Sequence, residues 1–227
     1  REKALQEIIQ KVKEAGNGKK YDCIVGISGG VDSSYALYLA VNIGLRPLAV
    51  HMDNGWNSEI AVKNIKNITQ NTGFDLFTYI IDWNEFRDVQ RSLFKASVVD
   101  IELATDHAIK AVLYRLAAKF RIKYMLNGGN VVTEAIMPVS WRHTKVDKSN
   151  LLDIHKTFGT LRLKTYPTAG IIKQQFYKTL LGIKNIKILN YVEFDRGAVV
   201  KRLKEELGWL EYGGKHHESV FTRFYQA

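Results

Sequence analysis

The sequence predicts an α/β chain: a doubly wound parallel sheet of five strands with an inserted and C-terminal helical part. Two observations carry that prediction. Short β-branched apolar runs alternate along the chain with longer stretches of helical periodicity, the pattern of parallel strands joined by crossover helices. The first run, Tyr21–Ile27, also opens directly into Ser28-Gly29-Gly30-Val31-Asp32-Ser33-Ser34 and then a helical stretch from Tyr35 to Val41 closed by Gly44. Ligands of open parallel sheets sit outside the carboxyl ends of the strands. A turn rich in glycine and hydroxyls at that place is therefore both a fold signal and a binding signal.

The elements follow in order. Leu5, Ile8, Ile9 and Val12 recur at helical spacing over 2–15, and Gly16-Asn17-Gly18 ends them. This leading helix packs its apolar stripe on the sheet. Arg46–Met52 is the second strand and ends in the polar turn Asp53-Asn54-Gly55-Trp56. Asn57 or Ser58 caps a helix that runs to about Thr72, with Gly73 behind it. Asp75–Asp82, rich in Phe, Tyr and Ile, is the third strand, and 85–96 is helical. Val98–His107 leads into a long helix with Ile109, Val112, Leu113, Leu116 and Ala117 inward. Lys123–Asn127 is the fourth strand, followed by Gly128-Gly129-Asn130. Pro138 and Pro167 bracket an irregular stretch with Trp141, Arg142, His143, Tyr166 and several lysines, inside which 147–158 is helical. A helix over 170–181 and a fifth strand over Lys187–Tyr191 come next. Asp195 then caps a helix with Val199, Val200, Leu203 and Leu207 on one face. Tyr212-Gly213-Gly214-Lys215-His216-His217-Glu218-Ser219 precedes the last helical stretch. The chain divides into a leading helix (1–20), a core (21–137), a helical insertion in the substrate region (138–185), and a closing strand with C-terminal helices (186–227).

Composition sets the class. At 227 residues, with 46% hydrophobic and 25% charged, the chain can bury a substantial core. No apolar run is long enough to span a bilayer, and no secretory pattern opens the sequence. Arg1 is not an initiator methionine, so an upstream piece is expected. The single cysteine, Cys23, lies inside the first apolar strand, which excludes an internal disulfide framework and predicts a small buried hydrophobe. These features predict a cytoplasmic protein. The net charge of +10 fits an anionic partner or equally a set of solvated helix faces, because Arg115, Lys119, Arg121 and Lys123 alternate with apolar residues.

Four polar stretches, 28–34, 51–55, 128–134 and 213–219, fall at strand ends or helix starts and so share one cleft. The first lacks both the Walker spacing and the dinucleotide fingerprint. Its free N–H groups, positive helix end and glycines suit a phosphate chain, with Ser28, Ser33 and Ser34 as hydroxyl donors. Asp32 serves there as a cap and a magnesium partner. His51, Met52 and Asp53 end the second strand, although Asp53-Asn54-Gly55 is also ordinary turn chemistry. Gly128 and Gly129 allow a ligand to approach the backbone closely. Glu134 is a second magnesium candidate or a solvated glutamate. Thr105 and Asp106 suit a helix start as cap and dipole partner. His107 is left over, and a neutral imidazole there accepts or relays a proton. Gly213-Gly214-Lys215 before a capped helix is a second anion-binding arrangement with Lys215 as a point charge. His216, His217 and Glu218 have too few neighbouring ligands for zinc.

Ser28 to Ser34 resembles the SGGxDS loop of the PP-loop ATP pyrophosphatases, which split ATP between its α and β phosphates and hand AMP to a substrate oxygen. The order SGGVDSS, HMDNGW, TDHAI, NGGN, LNY and GGKHHES-FTRF, over most of 20–227, is similar to the N-acetyl sugar amidotransferases of bacterial surface-polysaccharide (lipopolysaccharide) biosynthesis. That resemblance implies an adenine nucleotide alpha hydrolase-like fold, ATP and Mg²⁺ as cofactors, and a sugar-nucleotide or sialic-acid-like substrate whose acetamido group becomes an acetamidino group. It implies separate glutaminase and cyclase-like subunits that supply ammonia, and a zinc-binding segment N-terminal to this sequence. By residue, it implies Ser28, Gly29, Gly30, Asp32, Ser33 and Ser34 at the pyrophosphate with Lys215 assisting. His51, Met52, Asp53, Gly128 and Gly129 would surround the adenosine. Asp106 and His107 would handle substrate or ammonia, and Asp32 with Glu134 would hold magnesium. Membrane and nucleic-acid partners are not expected. Two other readings stay open: a tRNA-modifying pyrophosphatase, whose thiolating version needs a second cysteine, and a non-catalytic adenine-nucleotide-binding domain.

Overall fold

A computed structural model describes residues 1–130, 145–213 and 217–226. The elements are α1 (Glu2–Gly16), β1 (Cys23–Gly26), α2 (Val31–Asn42), β2 (Pro47–Asp53), α3 (Glu59–Thr72), β3 (Leu76–Ile80), α4 (Trp83–Lys95) and α5 (Leu103–Lys119). They continue with β4 (Tyr124–Asn127), α6 (Lys148–Phe158), α7 (Ile171–Thr179), β5 (Lys184–Lys187), α8 (Arg196–Leu207) and α9 (Val220–Gln226). Ser58, Asp82, Asp147 and Asp195 start α3, α4, α6 and α8, each accepting a hydrogen bond from a backbone N–H three residues on.

The five strands are all parallel, in the order β3-β2-β1-β4-β5. The winding therefore reverses between β1 and β4, which is the switch point where such sheets open a crevice. Adjacent residues of β1 serve opposite faces, as the period of a strand requires. Val25 joins a core with Val12 and Ile9 of α1, Leu37 of α2 and Leu203 of α8. Ile24 joins a core with Val112 and Leu116 of α5 and Tyr177 of α7. A third cluster unites Phe86 and Leu93 of α4 with Leu103 of α5 and Leu151 of α6. Cys23 is fully buried, and burial pushes its thiol up. Among the described residues, no helix is long and apolar enough to cross a membrane.

Two local expectations are corrected. The fifth strand is Lys184–Lys187, not Lys187–Tyr191, and 188–191 is a 3₁₀ turn. An edge strand of Lys-Asn-Ile-Lys keeps its side chains largely exposed, so it carries almost no apolar signal. Ile188 and Leu189 are both buried in succession, which an edge strand with alternating faces does not do. Thr105 is not a helix cap. Glu102 occupies that position without a side-chain cap bond, and the Thr105 hydroxyl instead meets Asn54 Nδ2 at 3.4 Å.

The irregular chain after α6 is held by two buried carboxylates of α4. Asp88 accepts from the Thr160 N–H (2.8 Å) and hydroxyl (2.7 Å) and the Leu161 N–H (2.9 Å), and meets His155 Nε2 at 2.9 Å. Glu85 accepts from the N–H groups of Lys164 (2.8 Å), Thr165 (2.9 Å) and Tyr166 (2.7 Å). Backbone donors without a ladder thus find partners. Burial pushes both carboxyls up, but the converging donors outweigh it and hold both below the ordinary range. A depressed carboxyl contributes stability above its unfolded value, and that stability is lost as pH falls through the folded value. Urea melts should therefore weaken below about pH 4. Asp88→Ala should cost about 2–4 kcal/mol at neutral pH by orphaning several donors at once, and should flatten that acid slope.

Candidate active site

The loop after β1 is braced by its own serines. Ser28 N–H donates to Ser33 Oγ at 3.1 Å, and the two hydroxyls lie 3.1 Å apart. Gly30 N–H donates to Ser28 Oγ at 3.3 Å, and the Ser33 hydroxyl donates to Gly30 O at 3.2 Å. These bonds hold the turn open at the N-terminus of α2. The Ser34 hydroxyl is fully buried and finds no hydrogen-bond partner among the described residues. An orphaned donor at a helix start is the kind of group a phosphate oxygen satisfies.

The loop is also gripped from outside. Gly29 has φ +81°, and a Cβ there would stand 2.5 Å from Ala61 O. Its carbonyl accepts from Asn64 Nδ2 (3.2 Å) and Trp209 Nε1 (3.1 Å). Asn64 in turn accepts from Leu210 N–H at 2.6 Å and donates to Leu210 O at 2.9 Å. The missing side chain of Gly30 leaves room for Tyr212 Oη and Glu218 Oε1, which would lie 3.1 and 3.2 Å from a Cβ. Tyr212 engages the backbone of Val31, and burial, with Glu218 nearby, pushes its hydroxyl up.

The same C-terminal segment continues around the crevice. Ser58 N–H donates to Glu218 O at 2.9 Å, and Val220 N–H donates to Trp56 O at 2.7 Å. Phe221 packs on Trp56 and Phe94. The Thr222 hydroxyl donates to Glu102 Oε1 at 2.6 Å, next to the start of α5. Residues 209–213 and 217–222 thereby tie the first loop to the end of β2 and to α5.

The turn after β2 is internally satisfied. The His51 ring is buried, with Nδ1 3.0 Å from Ile27 O and Nε2 3.2 Å from Asn57 Nδ2. The carbonyl needs a donor and the amide nitrogen needs an acceptor, so Nδ1 carries the proton. Burial lowers the ring's pKa, consistent with that neutral form. Asp53 Oδ1 accepts from Gly55 N–H (3.0 Å) and Asn57 Nδ2 (3.0 Å). Met52 is buried in the third core cluster. Asp53 and His51 brace the turn.

Gly128, after β4, brings the switch point together. A Cβ on it would collide with the backbone of Asp32 and Ser33. Its lack of a side chain thus serves chain-to-chain packing, whereas the sequence suggested close approach of a ligand. Gly129 N–H donates to Asn127 Oδ1 at 2.9 Å.

At α5, Asp106 and Asp100 both clasp Lys145, at 2.5 and 2.8 Å. Burial alone would lower the Lys145 pKa, but the two carboxylates hold it above the ordinary lysine range. His107 is buried, with Nδ1 3.2 Å from Lys145 O and Nε2 accepting from Ala169 N–H at 3.3 Å. Burial lowers its pKa. Both ring nitrogens are occupied, so its geometry suits holding the 145 and 169 segments in place.

Glu134, Lys215, Gly214, His216, Trp141, Arg142, His143 and Pro138 lie outside the described residues. Sequence reasoning missed Asn64 and Trp209, which carry no motif, and undervalued Tyr212 and Glu218, which stand in the last polar stretch. For magnesium, the chemistry of the donor set is suitable: Asp32 at the loop and Glu218 beside Gly30 offer hard oxygens, and this ion takes one or two carboxylates with substrate phosphates. Among the described residues no cluster of three or more His, Cys, Asp or Glu is placed to hold a metal. An open depression of about 420 Å³, lined by residues such as Lys11 and Lys123, lies at the opposite ends of the strands and takes no part.

Comparison with known proteins bears on this geometry. The uncharacterized protein MJ1599 of Methanocaldococcus jannaschii is 29% identical over 130 residues, which is 56% of this chain and 44% of that protein. The chain thus spans less than half the length of that relative. Two solved structures are similar at 14% identity. One is a predicted subunit of tRNA methyltransferase from Methanocaldococcus jannaschii, with TM-score 0.44, covering 81% of this chain and 73% of that one. The other is NMN synthetase from Francisella tularensis, with TM-score 0.46, covering 94% and 98%. A family model described as NAD synthase matches residues 2–209, which include all five strands and the Ser28–Ser34 loop. The chain belongs to the NAD synthase family, within the ATP-using PP-loop pyrophosphatases.

Proposed function

We propose that this protein is an ATP-dependent amidotransferase acting on an N-acetyl sugar, carried on a nucleotide or as a nonulosonic acid precursor. It adenylates the amide oxygen and replaces that oxygen with ammonia, leaving an acetamidino group. One observation carries this reading: the GGKHHES-FTRF stretch, where described, stands at the pyrophosphate-type loop and also bonds the residue just ahead of α5, the helix whose first turns hold TDHAI. Tyr212 and Glu218 stand at Gly30, and Thr222 bonds Glu102. The family supplies an ATP-using loop, and the two more specific motifs support the choice of acceptor.

In this reading the phosphates of ATP lie on Ser28, Gly29, Gly30, Ser33 and Ser34, with Lys215 assisting. Asp32, with Glu218 or Glu134, supplies oxygen ligands to magnesium, which neutralises phosphate charge when bound. The turns at His51–Asp53 and Gly128–Gly129 border the adenosine. The acetamido oxygen forms a bond to the α-phosphorus as the bond to pyrophosphate breaks. Ammonia then bonds to the imidate carbon, AMP leaves with the former amide oxygen, and a proton is released. The chain contributes positioning and charge neutralisation. Asp106, with Lys145 clasped beside it, borders the ammonia side, and neutral His107 holds that side's backbone. Glutaminase and cyclase-like subunits deliver ammonia in the cell.

The test supplies ammonium, ATP, Mg²⁺ and a panel of N-acetyl sugar nucleotides and nonulosonic acids, with mass spectrometry of the products. The expected product carries NH in place of one oxygen, formed in step with AMP and pyrophosphate. AMP release that no N-acetyl sugar stimulates would exclude this acceptor.

A further inference from the structure

A cavity of about 240 Å³ lies between α5, α7 and the strands β1, β4 and β5, and reaches the carboxyl ends of β1 and β4. Its floor is apolar, formed by residues such as Ile24 and Leu113, and its polar lining is Lys110, Lys178, Gln174, Asn127 and Asn185. Among the described residues, no carboxylate lines it. The amides are already committed in a way that leaves donors over. Asn127 donates to Asn185 Oδ1 and accepts from Gly129 N–H, so the Asn185 amide N–H groups have no partner among the described residues. Lys110 is half-buried, and its ammonium has neither hydrogen bond nor ion pair among the described residues. The nearby carboxylates Asp100 and Asp106 are taken by Lys145. Lys178 likewise has no ion-pair partner among the described residues.

A half-buried ammonium without a partner costs free energy unless an anion comes to it. Two lysines and spare amide donors over an apolar floor recognise an acceptor-rich anion with some apolar surface. We propose that this cavity binds the anionic group of the substrate, a phosphate diester or a sugar carboxylate, through Lys110 and Lys178 with Asn185 donating alongside. The site adjoins the Asp106–Lys145 pair, so an anchored substrate reaches the crevice from the α5 side. The inference rests on the reading of the substrate as an anionic sugar derivative. Burial lowers the Lys110 pKa, which agrees with a cation awaiting a counter-charge.

The test is calorimetric titration of the full chain whose loop is filled with a non-hydrolysable ATP analogue and Mg²⁺. Three titrants are used: uridine diphosphate N-acetylglucosamine, N-acetylneuraminic acid and inorganic pyrophosphate. Lys110→Met, which keeps the packing of the stem, should weaken binding of the diester or the carboxylate by about tenfold or more. Lys178→Ala should weaken it by less, and both should bind the ATP analogue as the wild type does. The diester and carboxylate arms tell the two sources of anion apart. Tight binding of a sugar titrant that neither lysine change alters overturns the site and leaves the proposed function standing. Binding of pyrophosphate alone, lost in Lys110→Met, keeps the anion site and removes the sugar reading. If no titrant depends on Lys110, the inference is overturned.

Discussion

Asp32→Asn should lower ATP–pyrophosphate exchange by about 10²–10³-fold, on the scale of losing a preorganised charge contact in phosphoryl transfer. The melting temperature should barely change. Asp32 sits in the first turn of α2, where a carboxylate complements the helix dipole. That contribution is only about 0.3–1 kcal/mol, so the amide keeps the fold. What the amide cannot do is carry the charge that magnesium requires beside the phosphates. Exchange assays paired with circular dichroism melts separate the two effects. A variant that retains exchange within a few-fold of wild type sinks the reading of this loop as the phosphate cradle.

Gly29→Ala should be strongly destabilising. A left-handed φ of +81° costs an L-residue about 1–2 kcal/mol. The new Cβ would also stand 2.5 Å from Ala61 O and 2.9 Å from Ala61 Cα. Both are backbone atoms, so α3 has to move, and with it Asn64, which bonds Gly29 O and Leu210. The expected destabilisation is about 3 kcal/mol or more, with ATP affinity falling alongside. Gly73→Ala is the control, because that residue has φ +69° but nothing within 4 Å of its Cβ. It should cost only about 1 kcal/mol. Equal losses in the two variants, read from urea melts, would show that the collision with α3 plays no part.

Much of the chain was legible because local chemistry and final structure agree. The loop at 28–34, the caps at Ser58 and Asp195 and the glycines behind α3 and α8 follow from propensities acting within a turn or two. β5 was misplaced because an edge strand hides its register behind lysines, while the apolar pair Ile188-Leu189 belongs to a turn plugged into the core. His107 looked like a spare base because sequence cannot see that Lys145 O and Ala169 N–H occupy its ring.

By itself, then, the sequence determined the parallel α/β class, the phosphate-type loop at the end of β1 and its helix, since each depends on residues adjacent in the chain. Tertiary structure alone decided what surrounds that loop. Asn64, Trp209, Tyr212 and Glu218 reach it from separations that no local pattern encodes. Lys110, which has no hydrogen bond or ion pair among the described residues, likewise became visible only once Lys145 had claimed both neighbouring carboxylates. Contacts between distant segments form because packing brings their partners together, and a linear pattern records only the residues that make them, not the meeting.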